Sequence, residues 1–351
     1  MTAPATPVLR TLLSRTRFLG TTTLVLTAST ALVASVSTAH AQPVPDRDLL
    51  TWADNVEVLA DEDATAALPE GSAVASSEEL LADAVVSDVL RERGSTIAAL
   101  SHQDREVRVD IREAADGSAF GVAIVTAPMG ADEEPYAWLF AADHEPAGWR
   151  VGLEGTEEFS SILADSTLLE EEEREAVASS TNPSEASPTS YIGIGLPFSI
   201  GTSMVMTGGP HGEVGQSVDF AGGNGQARAA RGGYAYSLCN GWTRVIHDHG
   251  YSTDYYHLEN YQWLPGNNVG VGHYLGTQGN SLCAGGSTTG AHIHFSLRGY
   301  TDPNAPGWYL SVNGRTMGGW TFVQGAQYGG YAYRNGVGTV YPGNWMYNYG
   351  F

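Results

Sequence analysis

From about residue 190 onward, apolar and polar side chains alternate in short runs broken by Gly-Gly, Gly-Asn and Asn-Gly pairs, the pattern of antiparallel strands joined by tight turns. One run, "STTGAHIHFSLRGY" at residues 287–300, puts Ile293, Phe295 and Leu297 on one face and His292, His294 and Ser296 on the other. The first face predicts core. A lone histidine in such a strand is ordinarily a buried structural residue, but two in register on the polar face call for a function. Before residue 190 the pattern differs. "SSEELLADAVVSDVLRERG" has the spacing of an amphipathic helix begun by Ser77 and stopped by Gly94, and "REVRVDIREA", "SAFGVAIVTA", "YAWLFAADH" and "GWRVGLEG" read as strands. The chain is therefore expected to be mainly β, with a small α+β domain ahead of an antiparallel β domain of about 160 residues, long enough for its own core.

Charge and composition sharpen this division. Arg10, Arg15 and Arg17 precede an apolar stretch ending at Ala39-His40-Ala41, the layout of a secretory signal peptide cleaved after Ala41. A membrane anchor is the alternative, but Thr and Ser interrupt the stretch and no later apolar run is long enough to span a bilayer. Secretion to the extracellular medium is expected. The formal charge of -22 is concentrated: residues 42–190 carry 33 of the 39 acids against eight Arg, whereas residues 191–351 carry six of each. No basic stretch invites nucleic acid. Gly and Tyr divide the other way, 34 of 43 Gly and 16 of 17 Tyr lying after residue 190. Between the halves, "EEEREAVASSTNPSEASPTS" passes from a charge run into Ser, Thr, Pro and Asn without apolar periodicity, as an exposed, protease-accessible linker would. The expected division is a signal peptide at 1–41, an acidic α+β prosegment at 42–175, a linker at 176–190 and a catalytic domain at 191–351. An independent binding module would have the same composition as the prosegment, and no catalytic constellation appears within it.

Candidate chemistry gathers after the linker. "GGPHGEVGQSVDFAGG" places His211 after a turn and Asp219 eight residues on, inside a short strand, while His257 closes the aromatic run "STDYYHL". A catalytic zinc takes three protein ligands and keeps a fourth position for water, so His211, Asp219 and one of the strand histidines would make such a set, with the other histidines beside the water. His247 and His249 form a second His-x-His pair, but Asp248 and Gly250 mark a turn, and the pair reads as structural. The two cysteines, Cys239 and Cys283, stand 44 positions apart. In an exported protein they are expected to form a disulfide, since zinc thiolate sites favour short Cys-x-x-Cys pairs.

In order and approximate spacing, the His211/Asp219 pair, "HGYSTDYYHL", "VGVGHYLGTQGN" and "STTGAHIHF" resemble the lysostaphin-like zinc endopeptidases of peptidase family M23, which hydrolyse peptides of bacterial cell walls. Within that family, "LPFSIGTSMVMTGGPHG" and the tail "LSVNGRTMGGWTFVQG" resemble the β-lytic metalloendopeptidase and staphylolysin branch. The resemblance covers residues 188–351. It implies a lysostaphin-type antiparallel sheet, one Zn2+ per catalytic domain held by His211, Asp219 and His294, and His257 and His292 flanking the water as base, acid or oxyanion donor. It also implies a peptidoglycan peptide as substrate, Gly-Gly cross-bridges among the candidates. The gap from His211 to Asp219 is longer than in the lysostaphin type and shorter than in the β-lytic enzymes, which leaves Glu213 as a rival carboxylate. Tyr255, Tyr256, Trp263 and Trp308 either line a groove or fill the core. The expected protein is a precursor whose own prosegment acts as its inhibitor, giving a monomer with no stable membrane insertion once the signal is removed. A catalytically silent wall-binding or regulatory module of the same fold is the alternative, and the presence of all five candidate residues argues against it.

Overall fold

The computed structural model describes residues 11–12, 55–60, 62–69, 71, 75–100, 105–184, 192–301 and 307–351. Apart from Thr11 and Leu12, the expected signal peptide lies outside the described residues, as do linker residues 185–190. The N-terminal domain comprises β1 (Thr11–Leu12), β2 (Val56–Ala60), α1 (Glu62–Ala67), α2 (Ser77–Leu100), β3 (Val107–Ala115), β4 (Ser118–Val125), β5 (Tyr136–Glu145), β6 (Gly148–Leu153), α3 (Glu157–Asp165) and α4 (Glu171–Thr181). Its six strands lie side by side in chain order, and only β2 and β3 pair in parallel.

Helix α2 opens on a reciprocal cap: Glu79 N–H donates to Ser76 Oγ at 3.3 Å and Ser76 N–H donates to Glu79 Oε2 at 2.9 Å. It then runs through Gly94, where the sequence predicts a stop, and ends at Leu100. Ile97 continues the buried stripe of Val86, Val89 and Leu90 beyond the glycine, and this packing outweighs a glycine penalty of about 1 kcal/mol. Strands β4 and β5 are buried on both faces, which explains why their sequences read as continuous apolar runs. On one side Val109, Trp138 and Phe140 pack with α2 residues such as Val85 and Val89. On the other, Phe120, Val122, Ile124 and Leu139 meet α3, α4 and the C-terminal domain.

The C-terminal domain is built from β7 (Ser203–His211), β8 (Ser217–Ala221), β9 (Gln226–Arg228), β10 (Gly233–Cys239), β11 (Trp242–Ile246), β12 (Tyr251–Tyr256), β13 (Pro265–Val269), β14 (Tyr274–Thr277), β15 (Ile293–Gly299), β16 (Trp308–Tyr309), β17 (Thr316–Met317), β18 (Trp320–Val323), β19 (Tyr331–Arg334), β20 (Gly338–Val340) and β21 (Asn344–Tyr347). A nine-stranded sheet runs β13-β10-β11-β12-β15-β8-β7-β21, with β16 beside β15, and all its pairs are antiparallel. One face carries Val218, Phe220, Val245, Tyr255, Ile293, Phe295 and Leu297 into the core. Tyr255 is thus core, and its hydroxyl accepts from Ala230 N–H at 2.7 Å. Tyr256, one residue on, points to the opposite face, where Tyr236, Leu238, Trp242, Ile246 and Tyr300 join it against the N-terminal domain.

The expected linker begins later than the sequence suggests. Residues 176–181 belong to α4, whose Val177 and Thr181 are fully buried, and Tyr236 OH donates to Glu173 Oε1 at 2.6 Å. A single valine in a polar run shows no periodicity, so only the partner face reveals this helix. Cys239 and Cys283 are bonded to each other. None of the described helices is long and apolar enough to cross a membrane.

Burial, reinforced by Glu113 and Glu170 and opposed by the Tyr236 hydroxyl, pushes Glu173 up to about 7 from an ordinary 4.5. The raised folded value means that the folded chain favours the protonated acid; this stability is complete below pH 4.5 and is lost as the pH rises through 7. Glu173→Gln keeps an acceptor for Tyr236 and removes the titration. Its melting temperature should exceed that of the native chain at pH 8, and the gap should shrink towards pH 5. An equal gap at both pH values would contradict this origin.

Candidate metal centre

Three strands converge on one point. His211 ends β7, Asp219 sits within β8, and His294 is the second residue of β15, directly opposite Asp219 in the β8–β15 ladder. Alternation along β15 buries Ile293 and Phe295 in the core and turns His294 to the other face, so one strand register fixes both core and site. Gly208 lets β7 reach this point, and Gly209 lets the turn at 328–329 close on β7. A Cβ on Gly208 would stand 2.6 Å from Asp219 Oδ2, and one on Gly209 would stand 1.8 Å from the Gly329 carbonyl oxygen.

The donor atoms form a compact triangle. His211 Nε2 lies 3.2 Å from His294 Nδ1 and 3.4 Å from Asp219 Oδ1, and His294 Nδ1 lies 3.1 Å from Asp219 Oδ1. A tetrahedral zinc with bonds of about 2.0–2.1 Å needs donors roughly 3.3 Å apart, so a single ion fits this set and keeps a fourth position free. The orienting partners are also in place. His211 Nδ1 donates to the Gly209 carbonyl at 2.8 Å, which turns Nε2 inward, and Tyr328 stacks on the ring with centroids 4.2 Å apart. His294 turns Nε2 towards Glu134 Oε1 of the N-terminal domain, 3.4 Å away. Such outer partners fix ring orientation and tautomer.

Charge favours a cation here. Burial alone would raise Asp219, but the imidazoles of His211, His294 and His292 hold it well below the usual carboxylate range. Burial alone would lower His294, but Glu134 and Asp219 outweigh it and bring it up to about 10. The surroundings of His294 thus hold one positive charge, a demand that a bound metal ion meets.

Two further histidines face the same cleft. His257 follows β12 with φ +66°, and its Nδ1 donates to the Ser281 carbonyl at 2.8 Å. His292 Nδ1 donates to the Gly290 carbonyl at 2.7 Å, and its Nε2 lies 3.5 Å from Asp219 Oδ1. Their ring centroids are 4.7 Å apart. Burial, then the nearby His294 and His292, push His257 down to about 3, so it is neutral at working pH. The Cys239–Cys283 bridge anchors the loop that supplies Ser281. His257, His292 and His294 also place one donor atom each within 4.8 Å of one another, as do Glu134, His211 and His294.

Other candidates lie elsewhere. His247 is buried between the Gly232 carbonyl and Thr253 Oγ1, each at 3.0 Å, and His249 meets the Ile192 carbonyl, so both are structural. Glu213 accepts from Tyr136 OH at 2.8 Å and Gln216 Nε2 at 2.9 Å, facing the N-terminal domain. Trp308 stacks on Tyr136 with centroids 5.1 Å apart, while Trp263 is half-exposed under Arg112. The sequence reading missed Tyr328 and Glu134. "QYGGY" hints at a tight approach for Tyr328, but nothing local marks Glu134 among 39 acids. A cavity of about 900 Å³ adjoins the histidines, closed on one side by Asp132, Glu133 and Glu134.

No protein-family model matches the chain. Among characterised proteins, it is 35% identical over 115 residues to Protease LasA of Pseudomonas aeruginosa, which is 32% of this chain and 23% of LasA. It is 33% identical over 144 residues to the beta-lytic metalloendopeptidase of Lysobacter enzymogenes, 36% of this chain and 76% of that enzyme. The chain thus spans less than a quarter of LasA's length. Among solved structures, the M23 metalloprotease pseudoalterin is 30% identical with a TM-score of 0.39, covering 44% of this chain and 97% of that one. With three quarters of a metalloendopeptidase matched at one residue in three, this chain belongs to the M23 family of zinc metallopeptidases.

Proposed function

We propose that the chain is the precursor of a secreted, extracellular zinc endopeptidase that hydrolyses peptide bonds of bacterial cell-wall peptidoglycan, Gly-Gly cross-bridges among them, and that the acidic N-terminal domain is its inhibitory prosegment. The observation that carries this reading is the path of residues 127–136 through the metal cleft. Ala127 and Gly130 N–H donate to the carbonyls of Ala284 and Gly286 at 2.8 and 2.9 Å. Tyr328 OH donates to Asp132, Glu134 stands against His294, and Tyr309 OH donates to the Pro135 carbonyl at 3.0 Å. Arg105 locks the path from behind, reaching the Glu134 carbonyl at 3.0 Å and Glu133 Oε2 at 2.6 Å. A substrate peptide needs the same floor and walls, so the two exclude each other.

His211, Asp219 and His294 hold the zinc in this reading, and Asp219 offsets part of its charge. Zinc bound there supplies Lewis acidity towards the scissile carbonyl and a water of lowered pKa. His257 and His292 each give Nδ1–H to a backbone carbonyl, so each turns Nε2 towards the cleft. One takes a proton from the attacking water and passes it to the leaving amine. A protonated ring donates to the developing oxyanion. His102 lies outside the described residues, and His144 packs on Trp149 in the β5–β6 hairpin, so Glu134 is the prosegment group that meets the site.

Replacing His211, Asp219 or His294 by Ala should remove both zinc and activity, whereas His257→Ala and His292→Ala should keep most of the zinc and slow hydrolysis by roughly two to four orders of magnitude. Elemental analysis beside release of amino groups from cell walls checks this; stoichiometric zinc in His294→Ala would contradict the ligand set. Cutting the chain between residues 182 and 191 should raise wall hydrolysis at least ~10-fold once the N-terminal domain dissociates. An intact chain as active as the cut one would remove the inhibitory role.

A further inference from the structure

The same sheet face holds a second polar site, separate from the metal. Arg244 on β11 is fixed within the C-terminal domain by Asp254, with Nε 2.7 Å from Oδ1 and Nη2 2.8 Å from Oδ2, and Trp242 Nε1 donates to Asp254 Oδ2 at 3.2 Å. This two-point pairing leaves Nη1 directed away from Asp254. Nη1 donates to Glu154 Oε2 of the N-terminal domain at 2.6 Å and to the Ala137 carbonyl at 3.1 Å. The other oxygen of Glu154 accepts from Tyr300 OH, whose hydroxyl also lies 2.9 Å from Ser252 Oγ. Arg244, Tyr300 and Glu154 are all fully buried. The C-terminal domain thus contains a preformed carboxylate cradle, and a carboxylate from the other domain fills it.

The cradle lies in line with the metal centre. Arg244 is opposite Asp254, Asp254 is opposite Ser296, and Ser296 is two residues from His294 on the same face. Two strands across and two residues along amount to about 12 Å. The N-terminal domain spans this interval with chain: Glu134 stands at His294, and the carbonyl of Ala137, three residues on, reaches Arg244. A substrate peptide of three or four extended residues would cover the same path.

We propose that Arg244 and Tyr300 form a carboxylate-binding subsite of the peptidase, occupied by Glu154 in the precursor and by an acidic group of the substrate peptide, three or four residues from the scissile bond, once the N-terminal domain has left. This rests on the displacement reading given above. Asp254 belongs to the C-terminal domain and keeps the guanidinium oriented whichever carboxylate arrives, so the domain and the substrate compete for one pair of donors.

Two measurements test it. In the full chain, Glu154→Ala vacates the cradle, and Glu154→Ser serves as a second truncated form should the first fail to fold. Formate or acetate should raise the melting temperature of the vacated variant more than acetamide or chloride at equal ionic strength, and adding Tyr300→Phe should abolish that difference. Equal response to all four additives would overturn the carboxylate site. The second measurement uses enzyme released by cutting the full chain, and blocked glycine octapeptides carrying a single Glu or Gln at each position in turn. Glu three or four residues from the cleaved bond should raise kcat/KM roughly 10- to 100-fold over Gln, and Tyr300→Phe or Arg244→Lys should bring that Glu-over-Gln ratio close to one. Equal cleavage of Glu and Gln peptides would overturn the subsite with the peptidase intact. Carboxylate-specific stabilisation with no cleavage of any peptide, and no bound zinc, would instead remove the peptidase reading and leave the anion site standing.

Discussion

The pairing of β8 with β15 sets Asp219 directly opposite His294, and nearly every functional contact in the C-terminal domain refers to that one rung. A carboxylate and an imidazole on neighbouring strands are held at a separation fixed by the ladder, with no loop to relax it. Slipping either strand by one residue would turn the ligands inward and bring Ile293 and Phe295 to the polar face, so the hydrophobic core enforces the site geometry. His211 joins the rung because Gly208 lets β7 press against Asp219, and His257 joins because a disulfide-anchored loop supplies the Ser281 carbonyl that aims its ring. The proposed metal site takes its geometry from the packing of the core.

The N-terminal domain is matched to this face in both shape and charge. Its two-sided sheet brings Phe120, Val122 and Leu139 against Tyr236, Trp242 and Tyr256, while Glu134 and Glu154 meet His294 and Arg244. Burying Glu154 without Arg244 and Tyr300 would leave an unpaired charge in a low-dielectric interior, which is why the two acids sit where the partner domain offers cations or donors. The same requirement binds the C-terminal domain, whose buried polar groups must find water or a ligand once uncovered. A face that is greasy around its rim and polar along its floor suits a peptide chain.

Much of the catalytic half was legible in the sequence because strand alternation carries its own geometry. His292 and His294 sharing a face, Ile293 and Phe295 entering the core, and the turn-borne His247 and His249 serving structure all follow from a period of two and from turn chemistry. The Tyr255/Tyr256 pair obeys the same rule, one residue in the core and the next at the interface. What stayed hidden was tertiary. Glu134 looks like any of its acidic neighbours until the fold carries it to His294, and α4 shows no stripe because one valine and one threonine are all it buries deeply. The run of α2 through Gly94 is a case where packing against a neighbouring sheet overrode a local stop signal.

Diffraction from crystals of the full chain, collected at energies on either side of the zinc absorption edge, tests the central claim most directly. A single zinc-specific peak should lie within bonding distance of His211 Nε2, Asp219 Oδ1 and His294 Nδ1, with His257 and His292 outside that distance and Glu134 against the far nitrogen of His294. A peak coordinated by His257 and His292 instead, or no zinc peak from zinc-replete protein, would contradict it.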